Sequence, residues 1–328
     1  MSRLHFFDHK LLASHAIDQI DNYKRVTARP NGWHYDLDMA WVLSSLKTAN
    51  IQPGATILDA GAGFGILQFL LAGLGYHVIS LDFSERIMPT SFVKLFNISG
   101  DGKILTASEY DHEYMRLINY GNASPRPSIR TVFQRVYDLV RRHDSLGGRF
   151  SLGKRALLAR LNSLCSFFIR FKTTVLDQKQ FEGSIQLVRA PFHEFKVNPN
   201  SVDAVVSISA IEHSEIELIP DAIAMFRRVT KPRGKIFLTT SMAIDGQRAF
   251  DNEVHGFNYA TSDLTTLFGI CDEQLPSQSQ LEAYELELLR MENLWSRLDH
   301  YYRLDPNSHF YRGIFKRLPY LPVGLELA

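Results

Sequence analysis

Only two cysteines, Cys165 and Cys271, occur in the 328 residues. So few argue against a disulfide scaffold and fit a reducing compartment. No run approaches the roughly 18–20 consecutive apolar residues that span a bilayer. The opening MSRLHFFDHKLLASHAIDQ lacks the apolar stretch of a signal peptide, so a cytoplasmic protein is expected. The twelve histidines are scattered and neither cysteine sits in a ligand-spaced cluster, so no metal site is expected. No P-loop or G-x-S-x-G pattern occurs either.

Net charge is also nearly absent, at +1, but that value hides an asymmetry. Between Tyr114 and Lys172 twelve Arg or Lys face two acids, Asp138 and Asp144, a local charge of about +10. The rest of the chain therefore carries about −9.

Residues 1–50 read as mostly helical; Met39, Val42, Leu43 and Leu46 share a helical face before Pro53-Gly54 breaks the pattern. From Ala55 the period changes. ATILDA reads as a buried strand, GAGFG as a turn, ILQFLLAGLG as a helix and HVISLDFS as a second buried strand. Together they form a βαβ unit. The βα rhythm returns with SIQLVRA, VDAVVSI, the helix PDAIAMFRRV and the strand KIFLTTS, with Lys231 to Gly234 turning the chain before the last. Leu281 to Tyr302 reads as one helix, and PVGLELA as a final strand. The expected fold is α/β: a Rossmann-like sheet with helices on both faces and a helical insertion. The domain boundaries read as a helical cap over 1–50, a sheet domain over 51–98 and 173–328, and a basic insertion over 99–172.

The sharpest motif is Ile57-Leu58-Asp59-Ala60-Gly61-Ala62-Gly63-Phe64-Gly65. A buried strand delivers the chain to a turn where glycines let the backbone approach a ligand, and the next helix offers free N–H groups. A dinucleotide fingerprint would have a third glycine where Ile66 stands. Asp82 ends the second strand, where an acid binds both hydroxyls of a ribose. Here the sequence resembles the class I S-adenosylmethionine-dependent methyltransferases, particularly the type 11 group. LDAGAGFG, LDFS, VDAVVSISAIEH and VTKPRGKIFLTTS are similar to four of their elements, in the right order. The resemblance implies S-adenosylmethionine as cofactor. It places Gly61, Gly63 and Gly65 along its methionine part, Asp59 at its amino group, Asp82 at its ribose and Phe83 against its adenine. Phe192, in APFHEF, would touch the adenine edge through its backbone; Pro191 stands where the family usually has an acid.

Methyl transfer to a hydroxyl needs a base, because a neutral alcohol is a poor nucleophile, and histidine suits this near neutral pH. His213 is the first candidate, since the end of the fourth strand opens on the ligand crevice of such sheets. It also has a second reading, as a residue that shapes the cofactor pocket. His255 is the runner-up. Trp33-His34-Tyr35 reads either as a lid over the ligands or as a hydrophobic anchor for the N-terminal helices.

About 99 residues (85–183) separate the second and third strands where the family has a short connection, so an added subdomain is expected. If RALLARLNSLCSFFIRF is the usual connecting helix, the addition caps the acceptor; if PTSFVKLFN is, it emerges at the opposite edge. The first is favoured, because the second is short and begins at Pro89. An arginine-rich cap points to an anionic acceptor. The expected reaction is O-methylation of a small-molecule or glycan hydroxyl, with an anionic sugar as one such acceptor. Peripheral membrane contact through the insertion is a further expectation; nucleic acid is not, because no aromatic-basic motif accompanies the charge. The alternatives are N- or C-methylation of a metabolite, or a non-catalytic cofactor-binding scaffold.

Overall fold

Short buried strands joined by helices assemble into one sheet in the computed structural model, which describes residues 1–27, 32–106, 109, 110, 113, 182–251, 255–298, 302, 310 and 317–328. In chain order the strands are β1 (Arg3–Phe6), β2 (Thr56–Ala60), β3 (His77–Asp82), β4 (Ile87–Pro89), β5 (Ile98–Gly100), β6 (Lys103–Leu105), β7 (Ser184–Arg189), β8 (Val202–Ile208), β9 (Thr230–Met242), β10 (Ala249–Asp251), β11 (Gly256–Asn258) and β12 (Leu321–Leu327). The helices are α1 (His15–Thr27), α2 (Tyr35–Thr48), α3 (Leu67–Gly73), α4 (Thr90–Phe96), α5 (Ile219–Val229), α6 (Thr261–Phe268), α7 (Gln278–Arg290) and α8 (Glu292–Ser296).

Eight strands form the main sheet in the order β1-β12-β9-β8-β2-β3-β7-β5. The run from β9 to β5 is parallel, and β12 and β1 close the other side in antiparallel pairs. After β2 the chain first builds toward β3 and later returns to lay β8 on its other side. This reversal opens a crevice at the carboxyl ends of β2 and β8, where open α/β sheets bind ligands. The sheet is thus the Rossmann-like α/β arrangement expected.

Burial follows the sequence pattern. Ile57 through Ala60 are all buried on β2, as central parallel strands require. Helix α3 is buried from Leu67 to Ala72, and α4 packs on it through contacts of Phe92 and Phe96 with Phe69. On α5 the buried face is Ile219, Ala222, Ile223, Phe226 and Val229, while Asp221, Arg227 and Arg228 lie off it. The N-terminal helices are fastened by charge. Arg297 donates to Asp21 of α1 and, at 2.7 Å, to Asp36 of α2, which also takes Lys24 at 3.0 Å.

Several local expectations change. The N-terminal stretch opens with a strand, β1, which pairs the edge that β12 would otherwise leave bare. A four-residue segment carries too little periodicity to announce itself. The helix expected over Leu281 to Tyr302 starts earlier, at Gln278, and breaks at Met291, whose ψ of 80° leaves the helical region. Residues 231–234 form no separate turn; they lie inside β9 opposite a register irregularity between Val202 and Ala204. PTSFVKLFN does contain a helix, α4, and it leads into β5, an added parallel neighbour of β7. RALLARLNSLCSFFIRF lies outside the described residues.

The chain divides into two compact units. One comprises Met1–Arg86, Phe92–Lys103 and Gln180–Ala328 and holds the main sheet; the other comprises Ile87–Ser91 and Ile104–Lys179. Among the described residues no helix is long and apolar enough to cross a membrane.

Candidate active site

Where β2 ends, the chain must reverse at once to enter α3, and two glycines take the strained positions. Gly61 has φ +76°, and a Cβ there would lie 2.2 Å from the Cβ of Ala210. Gly63 has φ +46°, and its N–H donates to Asp82 Oδ2 at 2.7 Å. The N–H groups of Gly61 and Ala62 both donate to the carbonyl of Leu81. The turn is therefore tied to the end of β3.

These elements enclose a cavity of about 390 Å³, lined among others by Asp59, Gly61, Gly63, Gly65, Asp82, Phe83, Phe192 and His213. The residues named from the sequence for the cofactor, and His213, thus border one space, whereas the runner-up His255 does not line it. The volume lies within the ordinary range for small ligands. Asp82 is buried, and its Oδ1 accepts from the backbone N–H (2.8 Å) and hydroxyl (2.6 Å) of Ser84. Phe83 is 72% exposed, leaving an aromatic ring at the cavity wall.

Asp59 differs from Asp82. It is 2% exposed, and its Oδ2 has no hydrogen-bond partner among the described residues. Burial raises its carboxyl to about 7; the positive charge of Arg86 opposes that rise and the negative charge of Asp82 adds to it. Such a carboxylate is costly unless a cation or donor arrives. A left-handed glycine turn, an acid at the end of the next strand and a buried acid oxygen with no partner among the described residues fit the methionine and ribose ends of S-adenosylmethionine.

The cavity wall also carries the candidate base. His213 Nδ1 lies 3.0 Å from the carbonyl oxygen of His255. A carbonyl only accepts, so Nδ1 carries a proton, and in the neutral ring it is Nε2 that keeps its lone pair. The runner-up histidine thus reaches the site through its backbone, at a residue with φ +52°. Neighbouring Glu212 is buried; its Oε2 accepts from Thr240 at 3.2 Å, and burial raises its carboxyl above the usual range against the pull of His213. Trp33 and His34 anchor the N-terminus. Trp33 stacks on Trp295 at 5.5 Å and donates to the Tyr320 hydroxyl at 3.0 Å. His34 is buried between Asp38 (2.8 Å) and Tyr320 (3.1 Å). Tyr35 and Met39, by contrast, line the cavity.

Ser209, Glu215 and Arg86 escaped the sequence reading. Ser209 and Glu215 line the cavity, and Ser209 donates to Asp38 at 3.3 Å. Arg86 lies 2% exposed behind the glycine turn. An arginine four residues after Asp82 carries no periodic signal, because its burial depends on partners distant in sequence.

Residues 168–238 match the family model described as a methyltransferase domain. No curated protein matches the sequence. Among solved structures, a Burkholderia thailandensis 1,6-didemethyltoxoflavin-N1-methyltransferase with bound 1,6-didemethyltoxoflavin and S-adenosylhomocysteine is 13% identical, with 81% of this chain and 86% of that one covered and a TM-score of 0.37. A SAM-dependent methyltransferase from Aquifex aeolicus is 12% identical, covering 80% and 86%, with a TM-score of 0.32. A protein from Pyrococcus horikoshii is 17% identical over 67% of this chain at a TM-score of 0.32, and the match spans 62% of its length. Residues 168–238 thus match a methyltransferase domain, and the motifs that resemble the class I S-adenosylmethionine-dependent methyltransferases border one cavity.

Proposed function

We propose that this methyltransferase acts on a hydroxyl of a small molecule or glycan, with His213 as general base and an anionic sugar as one such acceptor. The observation that carries the proposal is the 3.0 Å contact between His213 Nδ1 and the His255 carbonyl. It holds the ring with a free Nε2 lone pair at the border of the cavity, and a base so placed contributes typically 10²–10⁴-fold to proton-coupled transfer. When bound, the cofactor supplies an electrophilic sulfonium methyl. The chain's own groups align and desolvate. Asp82 takes the ribose hydroxyls, Asp59 the amino group, and the Gly61–Gly65 turn the methionine backbone. Phe83 lies against the adenine, and Phe192 meets its edge. Tyr35 and Met39 border the acceptor side.

No Lys or Arg lines the cavity among the described residues, whereas Asp59, Asp82 and Glu215 do. The anionic preference of the acceptor therefore rests on the basic stretch from Tyr114 to Lys172. The same stretch supports peripheral contact with an anionic membrane, and the two cysteines support a cytoplasmic location. Glu215 favours a second reading, transfer to an amine nitrogen, because a carboxylate at the wall attracts a cationic acceptor.

Calorimetric titration with S-adenosylmethionine and S-adenosylhomocysteine, followed by a screen of hydroxylated small molecules and anionic glycans, tests the proposal. Micromolar binding of both, and transfer that His213→Ala lowers by about 10²–10⁴, are expected. Transfer only to amines, unaffected by His213→Ala, overturns the hydroxyl reading. Binding without transfer to any acceptor leaves the scaffold.

A further inference from the structure

Arg86 is a buried cation without a salt bridge among the described residues. Its guanidinium donates to the carbonyl of Gly63, to Gln68 Oε1 at 3.0 Å and to the Ser80 hydroxyl. Its Nε has no partner. All three acceptors are neutral, so the positive charge is held by dipoles and left uncancelled by contact. Burial works against that charge, and Asp82 and then Asp59 support it. Burying an arginine in this way costs several kcal/mol, and a residue serving packing alone would be better replaced by an apolar one.

The charged groups that act on Asp59 are Arg86 and Asp82. The other elements around it add little. Its register partners are Ser80 on β3 and Val206 on β8. Helix α3 holds no charged residue and brings neutral Gln68. On α2, Asp38 is held through its Oδ2 by His34 and Ser209. Arg86 is thus the one cation acting on two buried carboxylates among the described residues.

We propose that Arg86 is a positioning residue whose charge favours the ionised form of Asp59 ahead of cofactor binding, while its fork braces Gly63 so that the turn holds Asp82. The inference rests on Asp59 as the partner of the cofactor's ammonium. Arg86 touches neither cofactor nor acceptor. It weakens the hold of a proton on the place that the ammonium takes.

The test is proton linkage. The purified protein is titrated with S-adenosylhomocysteine in two buffers of different ionisation enthalpy, so that protons released on binding are counted. 5′-Methylthioadenosine, which lacks the amino acid portion, is the control. At pH 8 the unsubstituted protein is expected to release close to no protons, and Arg86→Gln about half a proton or more. The midpoint of its affinity–pH curve should move up by at least about one pH unit. Arg86→Lys keeps the charge and loses the fork; its affinity falls while its proton release stays near zero. The control releases none from any variant. Weaker binding by Arg86→Gln with release still near zero, or equal release from Arg86→Lys and Arg86→Gln, overturns the proposal. Should Arg86→Gln fail to fold, Arg86→Lys decides alone: release of about half a proton or more at pH 8 refutes the role of the charge. The premise about Asp59 has its own readout. The unsubstituted protein must release close to one proton at pH 6, and no release there removes Asp59 as the ammonium's partner.

Discussion

Replacing the three motif glycines one at a time by alanine separates backbone strain from ordinary packing at the methionine end of the cavity. At Gly61 the penalty has two parts. An L-residue in the left-handed region costs about 1–2 kcal/mol. The new methyl would also lie 2.2 Å from Ala210 Cβ, far inside the ~3.5–4 Å at which carbon atoms rest. Relief requires Ala210, just past the end of β8, to shift, an overpacking cost of about 1–3 kcal/mol. Loss of glycine freedom in the unfolded chain returns about 0.4–1 kcal/mol, so Gly61→Ala should destabilise the cofactor-free protein by roughly 2–4 kcal/mol. Gly63 also has a left-handed φ, but a Cβ there meets nothing closer than Asp82 Oδ2 at 3.7 Å. Its substitution should cost only about 1 kcal/mol. Gly65 needs no left-handed backbone, and its Cβ would meet the Ala62 carbonyl at 3.2 Å, so the change there should be near zero. Urea unfolding midpoints and thermal melts measure the series. At about 2 °C per kcal/mol for a chain of this size, Gly61→Ala should lower Tm by roughly 4–8 °C. A loss at Gly65 equal to that at Gly61, or a Gly61→Ala protein as stable as its parent, refutes the reasoning.

Asp82→Ala should weaken S-adenosylhomocysteine binding roughly 10–100-fold, the worth of hydrogen bonds to a charged acceptor; unchanged affinity in calorimetry removes it from the ribose. His213→Ala should leave that affinity within about threefold while methyl transfer falls by about 10²–10⁴; full activity would assign His213 to shaping the pocket. Asp59 should also govern stability against pH. Its folded carboxyl titrates at about 7 against an ordinary 3.8, so the folded state binds the proton more tightly. Stability from this group is complete below about pH 4 and declines until about pH 7. Asp59→Asn should therefore gain on the parent as pH rises, by up to about 4 kcal/mol at pH 8, at the expense of cofactor affinity. A stability difference that is the same at pH 5.5 and pH 8 sinks the assignment.

The sheet and the cofactor side of the cavity were legible in one dimension because their signals are local. A buried strand, a glycine turn and an acid at the end of the next strand all fall within Ala55 to Ser84, and parallel strands buried on both faces read as continuous apolar runs. His213 was legible as a position, since it follows β8 into the crevice. Its tautomer was not, because the carbonyl that sets it belongs to His255, 42 residues away. The last strands show the same limit. PVGLELA reads as a strand, but that it lies between β9 and the N-terminal β1 is decided by pairing across about 80–90 residues on one side and more than 300 on the other. The Trp33-His34-Tyr35 cluster was visible as aromatic; Trp295 and Tyr320 divide it, drawing two residues into the core and leaving Tyr35 at the cavity.

The sequence by itself determined the fold class, the glycine turn after β2 and the acid that ends β3, because each follows from the chemistry of neighbouring residues. Tertiary structure alone decided the electrostatics. Asp59 and Asp82 are the same residue type at the ends of adjacent strands, yet one is satisfied by Gly63 and Ser84 and the other is left without a partner for its buried oxygen. Arg86 becomes a buried cation only because Gly63, Gln68 and Ser80 converge on it. Desolvation and charge coupling depend on distances in space, and those exist only once the chain has folded.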